Sequence, residues 1–130
     1  MSLKVKLTEQ QPGTFMVKPE GRLDSDTYIL FEEKVTPILT EKAKIFILDL
    51  DKLEYISSIG IGSIFKAKKF IEENHGTFIM TNLQPQIKKI FEIIKVLPVK
   101  PVFENMEEVD EYLDLMQKKE IEKQKNFPKD

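Results

Sequence analysis

Hydrophobic and polar positions along the chain first predict a β-hairpin and two further strands. Apolar and polar residues alternate over Leu3–Leu7, and a β-favouring run at Thr14–Val17 follows the turn residues Pro12–Gly13. The unbroken apolar run Ile45–Leu48 is typical of a central strand that is covered on both faces. A similar run, Thr77–Thr81, predicts another buried strand.

Four other stretches repeat apolar residues every three or four positions, as amphipathic helices do. Asp24 or Ser25 can cap the first helix, and Pro37 should kink or end its last turn. His75–Gly76 supplies the stop of the second helix, and Pro85 lies near the first turn of the third. The predicted core-facing stripes are Tyr28, Phe31, Val35 and Ile38, then Ile61, Ile64, Phe65 and Ile71, then Ile87, Ile90, Phe91 and Ile94, and finally Met106, Val109, Leu113 and Met116.

Strands that alternate with helices predict an α/β fold. The hairpin makes one side of the sheet antiparallel, so we expect a single domain with a mixed sheet of about five strands and about four helices. Val102–Phe103 is expected to add a short edge strand. We expect the domain to span residues 1–117, and the charged residues 118–130 to form a tail that is a frayed helix or disordered.

Composition removes several classes of function. The 20 basic and 22 acidic residues nearly cancel, which disfavours binding to nucleic acid. The absence of cysteine excludes disulfides, thiolate catalysis and cysteine-ligated metals. No signal peptide and no run of eighteen apolar residues occurs, so we expect a cytoplasmic protein with no membrane insertion.

Enzymatic chemistry is also poorly supported by the sequence. The only histidine, His75, lies at a predicted helix end, where it complements the helix dipole rather than acting as a catalytic base. Carboxylates have no EF-hand spacing, and Gly60 and Gly62 lack the third glycine of a dinucleotide fingerprint. We therefore expect no catalytic residue, no metal and no cofactor, and interpret the glycines as a helix start that a neighbouring chain can approach closely.

A buried strand, a loop with two serines and a helix that opens with glycines follow one another at Leu48–Gly62. This order, with Gly21–Asp24 before the first helix and Asn82–Pro85 before the third, resembles the STAS domain of anti-sigma factor antagonists over residues 3–116. The family sequence usually reads Asp-Ser-Ser-Gly-Leu-Gly, and its phosphorylated serine aligns with Ser58. This chain departs from it by having Ser57 in place of the acid and Ile59 in place of the second serine.

The resemblance implies a bacterial phosphoprotein that regulates transcription through protein binding. Its unphosphorylated form would bind an anti-sigma factor with serine kinase activity and so release a sigma factor. Phosphorylation of Ser58, or alternatively of Ser57, would switch it off, with ATP belonging to the partner. The chain would be a monomer or weak dimer, and its expected partner-binding residues are Asp24, Ser57, Ser58, Ile59, Gly60 and Gly62.

Elementary electrostatics also makes Ser58 a plausible switch. A phosphate would add about −1.5 to −2 charges at a helix amino end, where free amides and the helix dipole favour an anion. A partner packed against the neutral serine would have to desolvate that phosphate.

Three alternative hypotheses stay open at this point. The two serines can simply cap the helix, as serine does in many proteins. The same fold can serve as a non-phosphorylated scaffold or adaptor subunit of a larger signalling or transport complex. A small hydrolase or nucleotide-binding enzyme that uses Asp24 and Ser58 is the weakest hypothesis, because no histidine or lysine is placed as a base.

Overall fold

The computed structural model describes residues 3–96 and 106–126, which contain one five-stranded mixed sheet and four helices. The strands are β1 (Leu3–Gln11), β2 (Thr14–Leu23), β3 (Ile45–Asp49), β4 (Leu53–Ile56) and β5 (Thr77–Thr81). The helices are α1 (Tyr28–Val35), α2 (Ser58–Glu73), α3 (Pro85–Val96) and α4 (Met106–Asn126). The α/β class with a mixed sheet is therefore confirmed.

The long strand β2 organises the sheet. It pairs antiparallel with β1 through the predicted hairpin, whose turn places Gly13 at a φ of 84°. On its other side β2 pairs in parallel with β3 near its start and with β4 near its end, where Leu23 lies opposite Ile56. Strand β4 thus continues the line of β3 along the same neighbour, and β5 extends the sheet beyond β3.

The core lies where the inward faces of these strands meet the helices. Helix α1 contacts β1, β2 and α2, while α3 contacts β4 and α4. Phe46 and Phe78 stack with ring centroids 5.2 Å apart. Each fully buried side chain of this size contributes about 1.5 to 3 kcal/mol to the free energy of folding. The largest of them are Leu23, Phe31, Phe46, Leu48, Leu50, Leu53, Ile56, Ile64, Ile71, Ile87 and Ile90.

Two strand predictions need correction. Residues Leu53–Ile56, expected within a loop, form β4, because they pair in parallel with the end of β2 and both Leu53 and Ile56 are buried in the core. Strand β5 is not fully buried: Ile79 is 41% exposed. Within the described residues β5 pairs only with β3, which leaves one of its edges open. The predicted strand Val102–Phe103 lies outside the described residues.

Two helix predictions were also wrong in detail. Phe65, assigned to the core stripe of α2, is 39% exposed, and Ala67 is buried on that helix instead. Helix α1 begins after Thr27 rather than after a capping Asp24 or Ser25. The reason is a local turn in which the Thr27 hydroxyl donates to the carbonyl of Arg22 at 2.7 Å and Asp24 stays outside the helix.

Helix ends elsewhere follow the sequence signals. Helix α1 ends at Val35, where a 3₁₀ turn at Thr36–Ile38 that contains Pro37 follows it, and His75 takes a φ of 65° just after α2. Helix α4 continues to Asn126, past the predicted domain end at residue 117. The division into residues 1–117 and a tail at 118–130 stays a prediction.

The two glycines of α2 differ sharply in their surroundings. A Cβ added to Gly60 would lie 2.6 Å from the carbonyl oxygen of Leu23 and 3.0 Å from Cγ1 of Ile56, whereas Gly62 has nothing within 4 Å of that position. We expect Gly60→Ala to lower the free energy of unfolding by about 1 to 3 kcal/mol, because backbone would have to move. Gly62→Ala should raise it by about 0.5 to 1 kcal/mol through helix propensity. Urea unfolding of both variants tests this pair, and equal effects would contradict the packing.

Candidate functional site

The two serines lie where β4 passes directly into α2. Ser57 is the N-cap of the helix, and its backbone amide donates to the carbonyl of Leu23 at 3.0 Å. Its hydroxyl accepts a hydrogen bond of 3.4 Å from the amide of Gly60, and the residue is only 8% exposed. Ser57 therefore fills the capping role that serine often has at a helix start.

Ser58 is the first residue of α2 and is half-buried. Its backbone amide donates to Oδ1 of Asp110 in α4 at 2.8 Å. Its hydroxyl makes no hydrogen bond to any residue in the described ranges 3–96 and 106–126. Of the two serines, Ser58 is thus the one whose hydroxyl is uncommitted and reachable from outside.

Helix α4 contacts this junction through three polar side chains on one face. Asp110 binds the amide of Ser58, and one turn later Asp114 accepts a 2.8 Å hydrogen bond from the hydroxyl of Tyr55. One turn further, Gln117 accepts from the amide of Ile56 at 2.9 Å and donates to its carbonyl at 2.8 Å. Residues 55, 56 and 58 are therefore each held by a separate residue of α4.

Gln117 replaces a neighbouring strand on the free side of β4. Neighbouring residues of a strand direct their backbone groups to opposite sides, so the groups of Ile56 point away from β2 while the amide of Ser57 points towards it. The Gln117 side chain is fully buried and satisfies both groups of Ile56. A buried backbone group without a partner would cost about 1 to 3 kcal/mol.

Asp24 lies at the same edge of the sheet as the serines. It follows Leu23, which is opposite Ile56 in the register, so the ends of two parallel strands bring it towards the start of α2. Its carboxylate accepts from the amide of Asp26 at 3.0 Å and forms an ion pair with Nε of Arg22 at 3.4 Å. The guanidinium of Arg22 in turn lies 3.8 Å from the ring centroid of Tyr55.

Two ionisable groups of the cluster have shifted pKa values. Burial, and then the hydrogen bond to Asp114 and its negative charge, raise the pKa of Tyr55 to about 12. The hydrogen bond from Lys118, and then that from Tyr55, lower the pKa of the Asp114 carboxyl. The pair is thus a neutral phenol donating to an ionised carboxylate.

The six predicted site residues all lie at this junction, but they differ in access. Ser57 and Gly60 are buried beneath the surface, and Asp24 and Ser58 are half-buried. Ile59 is 37% exposed and Gly62 is exposed, so these two present the outward face of the first turns of α2. Phe70, further along α2, is partly buried and packs against the core.

The polar residues of α4 were missed by the sequence analysis. Their spacing, at positions 110, 114 and 117, is a helical stripe beside the buried Leu113, and this is the one signal that could have found them. Among the described residues no group of three or more histidine, cysteine or acidic side chains could hold a metal ion. Within the same residues no helix has the length and apolar character needed to span a membrane.

The raised pKa of Tyr55 predicts a loss of stability at high pH. The unfolded phenol ionises near pH 10.0, whereas the folded one keeps its proton to about pH 12. The contribution of the protonated Tyr55 phenol to the free energy of unfolding is therefore complete below pH 10 and is lost as the pH rises towards 12. We expect Tyr55→Phe to make the unfolding free energy fall less steeply between pH 10 and 11. Asp114→Asn should reduce the slope in part, and an unchanged slope in both variants would contradict the assignment.

Comparison with known proteins agrees with this geometry. The sequence pattern of the STAS domain matches residues 6–109. The anti-sigma-B factor antagonist of Staphylococcus aureus is 27% identical over 93 residues, which cover 72% of this chain and 85% of that protein. The anti-sigma F factor antagonist of Paenibacillus polymyxa is 21% identical over 106 residues, covering 81% and 90%.

The fold also matches a solved structure. The anti-sigma factor antagonist SpoIIAA in its unphosphorylated form has a TM-score of 0.64 at 19% identity over 72% of this chain and 82% of that chain. The phosphorylated form of SpoIIAA from Bacillus has a TM-score of 0.60 at 20% identity over 70% and 83%. With the family pattern covering most of its length, the chain belongs to the STAS domain family, and the relatives described here are anti-sigma factor antagonists.

Proposed function

We propose that this chain is an anti-sigma factor antagonist that is switched by phosphorylation of Ser58. The unphosphorylated form binds an anti-sigma factor with serine kinase activity, and phosphate transfer to Ser58 ends that binding. The observation that carries the proposal is the uncommitted hydroxyl of Ser58 on the first turn of α2, beside the exposed Ile59 and Gly62. The protein acts in the bacterial cytoplasm as a monomer or weak dimer.

Access decides which serine receives the phosphate. Ser57 is 8% exposed, and its hydroxyl is engaged by the amide of Gly60. Phosphorylating it would break the N-cap and place a charge under the helix, against the core. Phosphorylating the half-buried Ser58 leaves the N-cap and the core contacts of Ser57 in place.

The transfer itself is a simple displacement. The hydroxyl oxygen of Ser58 attacks the γ-phosphorus of ATP held by the partner, and a new P–O bond forms as the bond to the β,γ-bridging oxygen breaks. ADP leaves, and the hydroxyl proton passes to a base of the kinase. The chain is the substrate of this reaction and supplies only the acceptor.

The outward face of α2 supplies the contact with the partner. Ile59 is a large apolar side chain, 37% exposed at the residue next to the acceptor. Gly62 leaves open space above the helix, so the backbone of a partner can approach it closely. An interface packed on this face against a neutral Ser58 would lose about tenfold in affinity for every 1.4 kcal/mol that burying the phosphate costs.

Asp24 is proposed to supply a carboxylate close to the acceptor Ser58. Its position on the neighbouring strand end, fixed by Arg22 and by the turn before α1, keeps a carboxylate at the edge that the partner would cover. It partly replaces the acid that the family usually has at the position of Ser57.

A second candidate function has one observation in its favour. The carboxylate of Asp110 already accepts the hydrogen bond of the Ser58 amide, and the negative charge of this carboxylate disfavours the approach of ATP. A STAS subunit that is never phosphorylated, and that serves as a scaffold in a larger complex, would tolerate such a charge without cost.

Phosphate transfer to serine variants distinguishes the two functions. With the anti-sigma factor that co-purifies from the source cells and with labelled ATP, we expect the parent chain and Ser57→Ala to be labelled. Ser58→Ala should stay unlabelled and bound. Ser57→Ala is the matched control, since it should lose only about 1 kcal/mol of stability with its cap.

Binding of an acidic variant completes that test. Ser58→Asp should weaken binding to the same anti-sigma factor at least tenfold in calorimetry, because the interface would have to bury a charge. Labelling of Ser58→Ala as strong as that of the parent, or parental affinity of both Ser58→Ala and Ser58→Asp, would show that Ser58 is not the switch.

A further inference from the structure

We infer that α4 responds to the phosphorylation of Ser58: a phosphate on this residue releases the first turns of α4 from the start of α2. The inference rests on the proposed modification of Ser58 and adds a consequence inside the domain itself. It follows from the hydrogen bond that joins the amide of Ser58 to the carboxylate of Asp110 at 2.8 Å.

Asp110 acts as an anionic cap supplied by another helix. The first amides of a helix lack partners within it, and they attract negative groups. The Asp110 carboxylate fills this role for Ser58 from 52 residues away in the sequence. It therefore occupies the place to which a phosphate on the same residue would be drawn.

A phosphate at Ser58 and the carboxylate of Asp110 compete for the same amide. The phosphate carries about −1.5 to −2 charges and has three acceptor oxygens, and its tether to Ser58 keeps it beside that amide. Two anions at one helix start repel each other. The covalently held phosphate stays, so Asp110 is the group that must leave.

The cations described in this cluster do not relieve the repulsion. Arg22 is held by Asp24 and by the face of the Tyr55 ring. Lys118 forms an ion pair with Asp114 at 2.9 Å. Neutralising the phosphate with either cation would break an existing contact of Tyr55 or of its partner Asp114.

The release is expected to be partial, because α4 is held at several places. Gln117 keeps its two hydrogen bonds to Ile56, and Leu113 is 2% exposed in the core. Leu113 lies one turn and Gln117 two turns beyond Asp110 along the helix. The first turns of α4, around residues 106–112, are therefore the part that loosens.

Hydrogen exchange tests the inference directly on the full chain. Phosphoserine is installed at position 58 during synthesis, and amide exchange of peptides from residues 106–117 is compared with that of the unmodified chain by mass spectrometry. We expect the phosphorylated form to exchange at least about tenfold faster in the first turns of α4. A ratio below about twofold in the parent would overturn the inference.

Variants of α4 show whether Asp110 is the cause. In Asp110→Asn and in Asp110→Ala the ratio of exchange between the phosphorylated and unmodified forms should fall below about twofold, since no carboxylate is left to be repelled. Asp114→Asn is the matched control: it weakens α4 at Tyr55 but keeps Asp110, so the ratio should stay near tenfold. The same ratio in the Asp110 variants as in the parent would also overturn the inference.

This test is independent of the proposed kinase. Because the phosphate is installed during synthesis, a chain that its partner never phosphorylates can still show the coupling. Conversely, a phosphorylated chain with an unchanged α4 refutes the coupling and leaves the transfer experiment on Ser58→Ala unaffected.

Discussion

The close approach of the first turn of α2 to the end of β2 is the constraint on which the site depends. The amide of Ser57 binds the carbonyl of Leu23, and the same carbonyl leaves room only for a glycine at position 60. With Ser57 and Gly60 fixed against the sheet, the helical turn between them directs Ser58 and Ile59 outward. A packing requirement in the interior thus determines which hydroxyl is displayed at the surface.

Helix α4 completes the site by contacting successive residues of the junction between β4 and α2. Gln117 takes the backbone of Ile56 as a strand would, Asp114 holds Tyr55, and Asp110 caps α2 at Ser58. Gln117 thus binds a buried strand backbone, whereas Asp110 binds a half-buried helix end. One helix therefore supplies both a buried contact to β4 and a charged contact at the start of α2.

Local patterns predicted much of the fold, while contacts between distant residues escaped them. The hairpin and the stripe of α3 with Ile87 and Ile90 follow from periodicity, because each segment faces the core on one side, and β3 follows from its unbroken apolar run. Strand β4 was missed since its four residues follow the turn signals of Asp49 and Asp51. The serine pair was located from its motif, but nothing local could show that Asp110 binds Ser58 from 52 positions away.

The central claim is that Ser58, and not its neighbour, carries the charge that separates this chain from its partner. Phosphopeptide mapping of the chain isolated from its own cells, with the partner-bound and free fractions analysed separately, tests it most directly. The account predicts phosphate on residue 58 in the free fraction and almost none in the bound fraction. Phosphate on Ser57 instead, or equal occupancy of Ser58 in both fractions, would contradict it.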